Sequence, residues 1–219
     1  IHYKLANMEK DHIVILENRG LVLAEGVEAK DFLQNIISNN IEKANESNSI
    51  FSGIFTPQGK YLYEFFIIKN KAGYLLDCDI ELKDDLIKHL LKYKLRSKVE
   101  IKDLSSSHVI GVVSEEKFLE IQSEINSKEK TIIYRDSPCF LDPRNTLLGA
   151  RVLSNLEKLH LTIKKLNLKI VEKSNYLNLA HAQGIPIQGI KKLQNNLFGL
   201  ESNFEELNGV DFKKGCYVG

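Results

Sequence analysis

Along this chain, short apolar runs alternate with segments whose apolar positions recur every three or four residues. His12-Ile13-Val14-Ile15-Leu16 and Leu21-Val22-Leu23-Ala24 read as two strands turned at Asn18-Arg19-Gly20. From Val27 to Ile37, the residues Val27, Phe32, Leu33, Ile36 and Ile37 fall largely on one face of a helix that ends at Asn39-Asn40. Ile50 to Phe55 and Tyr61 to Ile68 form a hairpin across Thr56-Pro57-Gln58-Gly59, with proline at the second turn position and glycine at the fourth. Gly73 to Cys78 adds a strand, and Leu82, Leu86, Ile87, Leu90 and Leu91 stripe one side of a helix. Strands follow near Val99 to Ile101 and Val109 to Val113. A helix with Phe118, Ile121 and Ile125 inward precedes strands at Thr131 to Tyr134 and Thr146 to Val152. Ser154, with Glu157 three residues on, is a capping-box start for a helix through Leu166. A last helix, Glu172 to Gln183, stops at Gly184 with Pro186 just beyond.

Strands interrupted by helices of a few turns argue for an α+β fold with mostly antiparallel sheets. A chain of 219 residues can build one large domain or two intimate ones. With 30 basic and 29 acidic side chains and scattered lysines, there is no electrostatic footprint of a nucleic-acid-binding surface. No apolar run approaches a membrane span and no leader opens the chain, so no membrane partner is expected and the cytosol is the default setting. Cys78, Cys139 and Cys216 are too widely spaced for a C-x-x-C ligand pair, and the histidines show neither H-x-H nor H-E-x-x-H spacing, so no metal site is indicated.

The chain closes on Lys213-Lys214-Gly215-Cys216-Tyr217-Val218-Gly219, a lone cysteine between glycines after two lysines. Adjacent ammonium groups and loop exposure lower a thiol's pKa, which fits a functional thiol; a small buried hydrophobe is the other reading. This stretch, preceded by Leu207-Asn208-Gly209-Val210-Asp211-Phe212, resembles the signature of the YgfZ-type folate-binding proteins, relatives of the glycine-cleavage aminomethyltransferase (T-protein). Arg19-Gly20, Asp31-Phe32-Leu33-Gln34-Asn35, Thr56-Pro57-Gln58-Gly59-Lys60, Leu95-Arg96-Ser97-Lys98-Val99, Leu141-Asp142-Pro143-Arg144, Leu148-Gly149-Ala150-Arg151 and Gly184-Ile185-Pro186 follow in that family's order. The resemblance implies two ferredoxin-like units around a central pocket, with residues 1–103 as the first and 104–219 as the second. It also implies that a C-terminal barrel domain is absent, since similar chains continue with Gln-Glu and a small β-barrel.

Three groups of residues are candidates for chemistry. On the hairpin, Lys60, Tyr63 and Glu64 stand where the transferases carry adjacent aspartates. A carboxylate there stabilises a developing iminium, and a phenol cannot supply that charge. With Tyr63-Glu64 in place of the pair, methylene transfer is put in doubt, and Glu64 can equally be an exposed strand residue alternating with Phe65. On the last helix, Ala180 and Ala182 stand where relatives place an arginine and a glutamate; Gln183 or His181 substitutes in part. Arg144 and Arg151 suit the glutamate tail of folate, while Asp142 is a ready structural partner for Arg144 across the proline-fixed turn.

The function so implied is that of a folate-binding accessory protein supporting iron–sulfur cluster assembly or repair, and through such clients tRNA modification. Cys216 is its functional thiol within the motif Lys214, Gly215, Cys216, Tyr217 and Gly219. Tetrahydrofolate or a derivative, bound weakly at Lys60, Tyr63, Glu64, Arg144 and Gln183, is the expected ligand. Client iron–sulfur enzymes or cluster-assembly proteins are the expected partners of a monomer, in bacterial cytoplasm or in mitochondria if the source is eukaryotic. A true aminomethyltransferase and an interaction module without folate are the alternatives.

Overall fold

A computed structural model describes residues 8–185 and 206–214. Among them the chain forms two compact units, residues 18–107 with 206–214 and residues 8–17 with 108–185. The resemblance implied a single break after residue 103. Instead the chain passes between the units three times, because its first strand joins the later unit and residues 206–214 return to the earlier one.

The unit built mainly from residues 18–107 is a five-stranded antiparallel sheet in the order β3-β4-β5-β2-β6. Its strands are β2 (Arg19–Glu25), β3 (Ile50–Phe55), β4 (Tyr61–Asn70), β5 (Gly73–Asp79) and β6 (Glu100–Asp103), with helices α1 (Ala29–Ile36) and α2 (Lys83–Lys94). α1 buries Ala29, Phe32, Leu33 and Ile36, the stripe expected from sequence, while Val27 lies exposed ahead of the helix. α2 buries Leu86 and Leu90 and leaves Leu91 at the surface. Gly20 is needed where α2 crosses the sheet, since a Cβ there would stand 3.0 Å from Cβ of Lys83 and 3.1 Å from Sγ of Cys78.

The other unit is a six-stranded sheet, β11-β1-β7-β10-β9-β8, antiparallel except where β1 (His12–Leu16) and β11 (Lys169–Val171) run parallel. Its remaining strands are β7 (Val109–Val113), β8 (Thr131–Tyr134), β9 (Ser137–Leu141) and β10 (Ala150–Ser154). Ile13, Val113, Phe118, Ile121, Cys139, Val152 and Leu159 join in one core. It lies between the sheet and helices α3 (Glu115–Glu124) and α4 (Leu156–Lys165). A side chain like Phe118, fully buried there, stabilises the fold by about 1.5–3 kcal/mol. Helix α5 (Lys173–Ala182) lies against β1 and ends in Gly184 at φ +70°, with Gly184 N–H donating to His181 O and Ile185 N–H to Ala180 O, a Schellman closure.

Five local readings change. β1 and β2 are not partners: neither Asn18, Arg19 nor Gly20 takes the positive φ of a tight hairpin turn, and β2 pairs with β5 and β6. β9 escaped the sequence pattern because its hairpin with β8 turns on Arg135 and Asp136, both at positive φ, without the glycine that advertises such a turn. The expected strand from Thr146 begins only at Ala150; Gly149, at φ +82°, passes so close to β7 that a Cβ would lie 1.9 Å from Val113 O. Ser154 does not cap α4, for its hydroxyl pairs with Ser137 Oγ at 2.8 Å inside the sheet, and Asn155 caps instead by accepting from Lys158 N–H. Ile125, expected inward, is the exposed C-cap of α3.

Candidate functional site

The β3–β4 hairpin closes as expected: Gly59 N–H donates to Thr56 O at 2.8 Å, and Gly59 sits at φ +83°. One turn onward the ladder carries a bulge. Ile54 pairs with Tyr63 and Phe55 with Tyr61, leaving Leu62 as the extra residue. Residues opposite each other share a face, so the bulge moves Tyr61 to the side of Phe55 and Glu64, while Tyr63 stays on the other side with Ile54 and Phe65. Tyr63 is buried against His89 of α2, ring centroids 5.4 Å apart, and His89 stacks on Tyr93 at 4.5 Å. Burial lowers the His89 pKa, which keeps the ring neutral. The structure therefore separates Tyr63 from Glu64, which the sequence grouped, and leaves Lys60 exposed at the start of β4.

The face that carries Glu64 holds residues the sequence reading did not single out. Phe66 lies opposite Asp77 and Asp77 opposite Leu21, so Arg19 reaches the same side two residues away. Arg19 Nε donates to Asp77 Oδ1 at 2.7 Å and its Nη2 to Asp77 O at 3.1 Å, with Asp77 fully buried. Burial holds the Tyr61 phenol above its ordinary range, Glu64 and Asp79 adding to the effect and Arg19 opposing it. The phenol is thus a neutral O–H beside one partly exposed carboxylate and a buried guanidinium–carboxylate pair. The available signal was Asp77, a charge inside the otherwise apolar run Gly73-Tyr74-Leu75-Leu76.

On the six-stranded unit, Arg144 is clasped by Asp142, Nε to Oδ1 at 3.0 Å and Nη2 to Oδ2 at 2.8 Å. The Tyr176 hydroxyl of α5 accepts from Arg144 Nη2 and from Arg151 Nη1, each at 3.1 Å. All four side chains are buried. Gln183 Oε1 accepts from Asn145 Nδ2 at 3.3 Å, and Ala180 is fully buried on the Tyr176 side of α5. Arg144, Arg151 and Tyr176 form one network that positions α5 over the sheet, and Gln183 joins its edge.

The third group is the segment before the terminal motif. Ser38 Oγ donates to Gly209 O at 2.5 Å, Asn39 Nδ2 to Asn208 O at 2.8 Å, and Asp211 N–H to Ser38 O at 3.0 Å. Asp211 Oδ2 lies 2.9 Å from Lys43 Nζ, and its Oδ1 accepts from Lys213 N–H at 2.8 Å, which holds its carboxyl below the usual carboxylate range. Lys214 Nζ enters the end of α1 and donates to Gln34 O, Ile37 O and Asn39 O at 2.6, 2.5 and 3.0 Å. Burial pushes this ammonium down to about 8, with Asp211 acting in the opposite direction. Gly215, Cys216, Tyr217 and Gly219 lie outside the described residues. Cys78 and Cys139 are buried, and burial pushes both thiols up to about 12. Among the described residues no group of His, Cys, Asp or Glu is arranged to hold a metal ion, and no helix is long and apolar enough to cross a membrane.

No protein-family model matches the chain. It is similar to the mitochondrial iron–sulfur cluster assembly factor IBA57 homolog of Dictyostelium discoideum, 26% identical over 247 residues, covering 100% of this chain and 60% of that protein. The corresponding protein of Neurospora crassa is 30% identical over 217 residues, covering 93% of this chain and 48% of its own length. The chain thus spans only about half of these relatives, 60% and 48%. Among solved structures, the glycine-cleavage aminomethyltransferase T of Bartonella henselae superposes with a TM-score of 0.62 over 93% of this chain and 64% of that one, at 12% identity. At that identity the likeness is one of fold: mixed α+β with largely antiparallel sheets.

Proposed function

We propose that this relative of the YgfZ-type proteins, carrying the fold of the glycine-cleavage aminomethyltransferases, is an accessory factor for iron–sulfur cluster assembly or repair, with Cys216 as its functional thiol and weak affinity for tetrahydrofolate or a derivative. The observation that carries this reading is similarity along 93% or more of the chain to proteins named as iron–sulfur cluster assembly factors. Its partners are then cluster-assembly or client proteins, and its compartment is the mitochondrion if the source is eukaryotic, the bacterial cytoplasm otherwise.

The geometry weighs against methylene transfer. Glu64 stands without a second carboxylate beside it in sequence, Tyr63 is turned to His89, and Asp77, the nearest buried acid on that face, is already engaged by Arg19. The partly exposed Glu64 and the protonated Tyr61 share one face and carry the polar groups that a pterin edge or an anionic tail would meet there. Arg144 serves there by holding Tyr176 and α5 in place. Weak binding, about 10 micromolar or poorer, is expected from so few committed contacts. Calorimetry with tetrahydrofolate tests the ligand, and submicromolar affinity would show that the contacts are undervalued. A cluster-maintenance assay on the full-length protein tests the role: Cys216→Ala should abolish activity with folding intact, and a fully active variant removes the thiol from the mechanism.

A further inference from the structure

We infer that Leu95, with Val27 on an adjoining loop, is a docking knob for a partner protein whose surface offers an apolar pocket rimmed by carboxylates. Only the identity of that partner, a cluster-assembly or client protein, rests on the proposed function.

Helix α2 ends at Lys94, and Ser97 N–H donates to Lys94 O at 2.7 Å, closing a four-residue turn. Leu95 is its second residue, at φ 47° and ψ −111°. Those are the angles of a type II′ turn, whose second position suits glycine because a Cβ crowds the backbone there. A bulky side chain in that place costs stability. Among the described residues burial does not offset the cost, for Leu95 is 82% exposed. The turn is nonetheless braced. Lys94 Nζ donates to Val99 O at 2.7 Å, and Lys98 N–H donates to the Glu28 carboxylate, which takes that bond and caps nothing at the start of α1. A strained turn, held by its neighbours so that an apolar side chain stands in water, points to a surface that another molecule covers.

Val27 extends the patch. Gly26, at φ +128°, passes so close to Lys98 that a Cβ would stand 2.3 Å from Lys98 O, and Glu28 N–H donates to the same carbonyl at 3.4 Å. Val27 lies between these two residues and is 85% exposed. Gly26, Lys94 and Ser97 also line one recess of about 550 Å³, so the loop before α1 and the turn after α2 adjoin. The rim is basic: Arg96 and Lys98 are exposed, while the nearby carboxylates are committed, Glu28 to Lys98 N–H and Glu25 and Glu100 to Lys102. Apolar tips among exposed cations complement an apolar pocket with carboxylates at its edge, and the charges steer the encounter. A second copy docking patch to patch would set these cations against one another. Two side chains also bury less apolar surface than a single acyl chain, which by itself binds a membrane only marginally.

The test places photoreactive benzoylphenylalanine at Val27 of the full-length protein in its own cells, and mass spectrometry identifies the captured molecule down to the cross-linked peptide. The expected result is a different protein, joined at a peptide that sets apolar residues beside Asp or Glu. Leu95→Gly should cut the yield about tenfold or more, and so should Arg96→Glu combined with Lys98→Glu. Stability supplies a readout that a packing role would move the other way: because glycine suits the turn, Leu95→Gly should hold or raise the urea midpoint. A lowered midpoint makes Leu95 structural and overturns the inference. Capture of a second copy of this chain, of lipid or of nothing overturns it too, as does a cross-linked peptide without acidic residues or a yield indifferent to either set of substitutions. A captured protein with no part in iron–sulfur metabolism leaves the docking surface standing and counts against the functional reading. Lost cluster maintenance in Cys216→Ala with no capture at Val27 does the reverse.

Discussion

Replacing Asp142 with alanine isolates the buried ion pair that organises the six-stranded unit. Asp142 and Arg144 have side-chain exposures of 1% and 4%, and the carboxylate accepts both fork nitrogens and the Arg144 backbone N–H at 2.8–3.0 Å. The variant leaves the guanidinium buried without that carboxylate, a change that costs about 3–5 kcal/mol. With a urea slope of roughly 1–3 kcal/mol/M, the unfolding midpoint should fall by about 1–5 M. Arg144→Met in the same chain removes the stranded charge, so the double variant should recover to within about 2 kcal/mol of wild type. A midpoint shift under about 0.5 M for Asp142→Ala, or strict additivity in the double variant, would falsify the structural assignment. Arg144 would then be available to an anionic ligand, the other of the two roles its sequence context allows.

Thiol accounting offers a second check: in native protein near pH 8, Cys78 and Cys139 should resist alkylation, because burial holds both near 12, and should react only in denaturant. Mass spectrometry that finds either one modified natively contradicts their burial. Asp211 has a folded pKa depressed by Lys43 and by Lys213 N–H, so its contribution is present above the unfolded value of about 3.9 and is lost as pH falls through the lower folded value. Exchange protection across residues 206–214 should therefore disappear in acid before that of α3, and equal loss in both would show the segment is not separately held. Lys214 behaves with the opposite sign. Its folded pKa of about 8 lies below the unfolded one, so the unfolded chain holds more protons between about pH 8 and 10.5 and its contribution rises with pH there. Lys214→Met should flatten the slope of stability in that window, and an unchanged slope would mean that the ammonium is not desolvated.

The sequence by itself determined the α+β class, most element positions and the kinship carried by the terminal motif, because apolar periodicity and short motifs are local properties. Helix α1 folds on the stripe its residues announce, and the β3–β4 turn forms where proline and glycine demand it. Local pattern does not say which strands become neighbours. β1 and β2 are adjacent in sequence yet lie in different sheets, and β9 follows a turn made by Arg135 and Asp136, whose positive φ angles are sustained by the ladder on either side. The same limit explains the candidate sites. Strand alternation puts Tyr63 and Glu64 on opposite faces, and a single-residue bulge at Leu62 brought Tyr61 to the face of Glu64, Arg19 and Asp77, since a shift of one residue exchanges the faces of a strand. Lys214 looked like an activating charge beside a cysteine; only tertiary structure brought it to the carbonyls of a helix 180 residues earlier, where a half-buried ammonium donates to backbone instead.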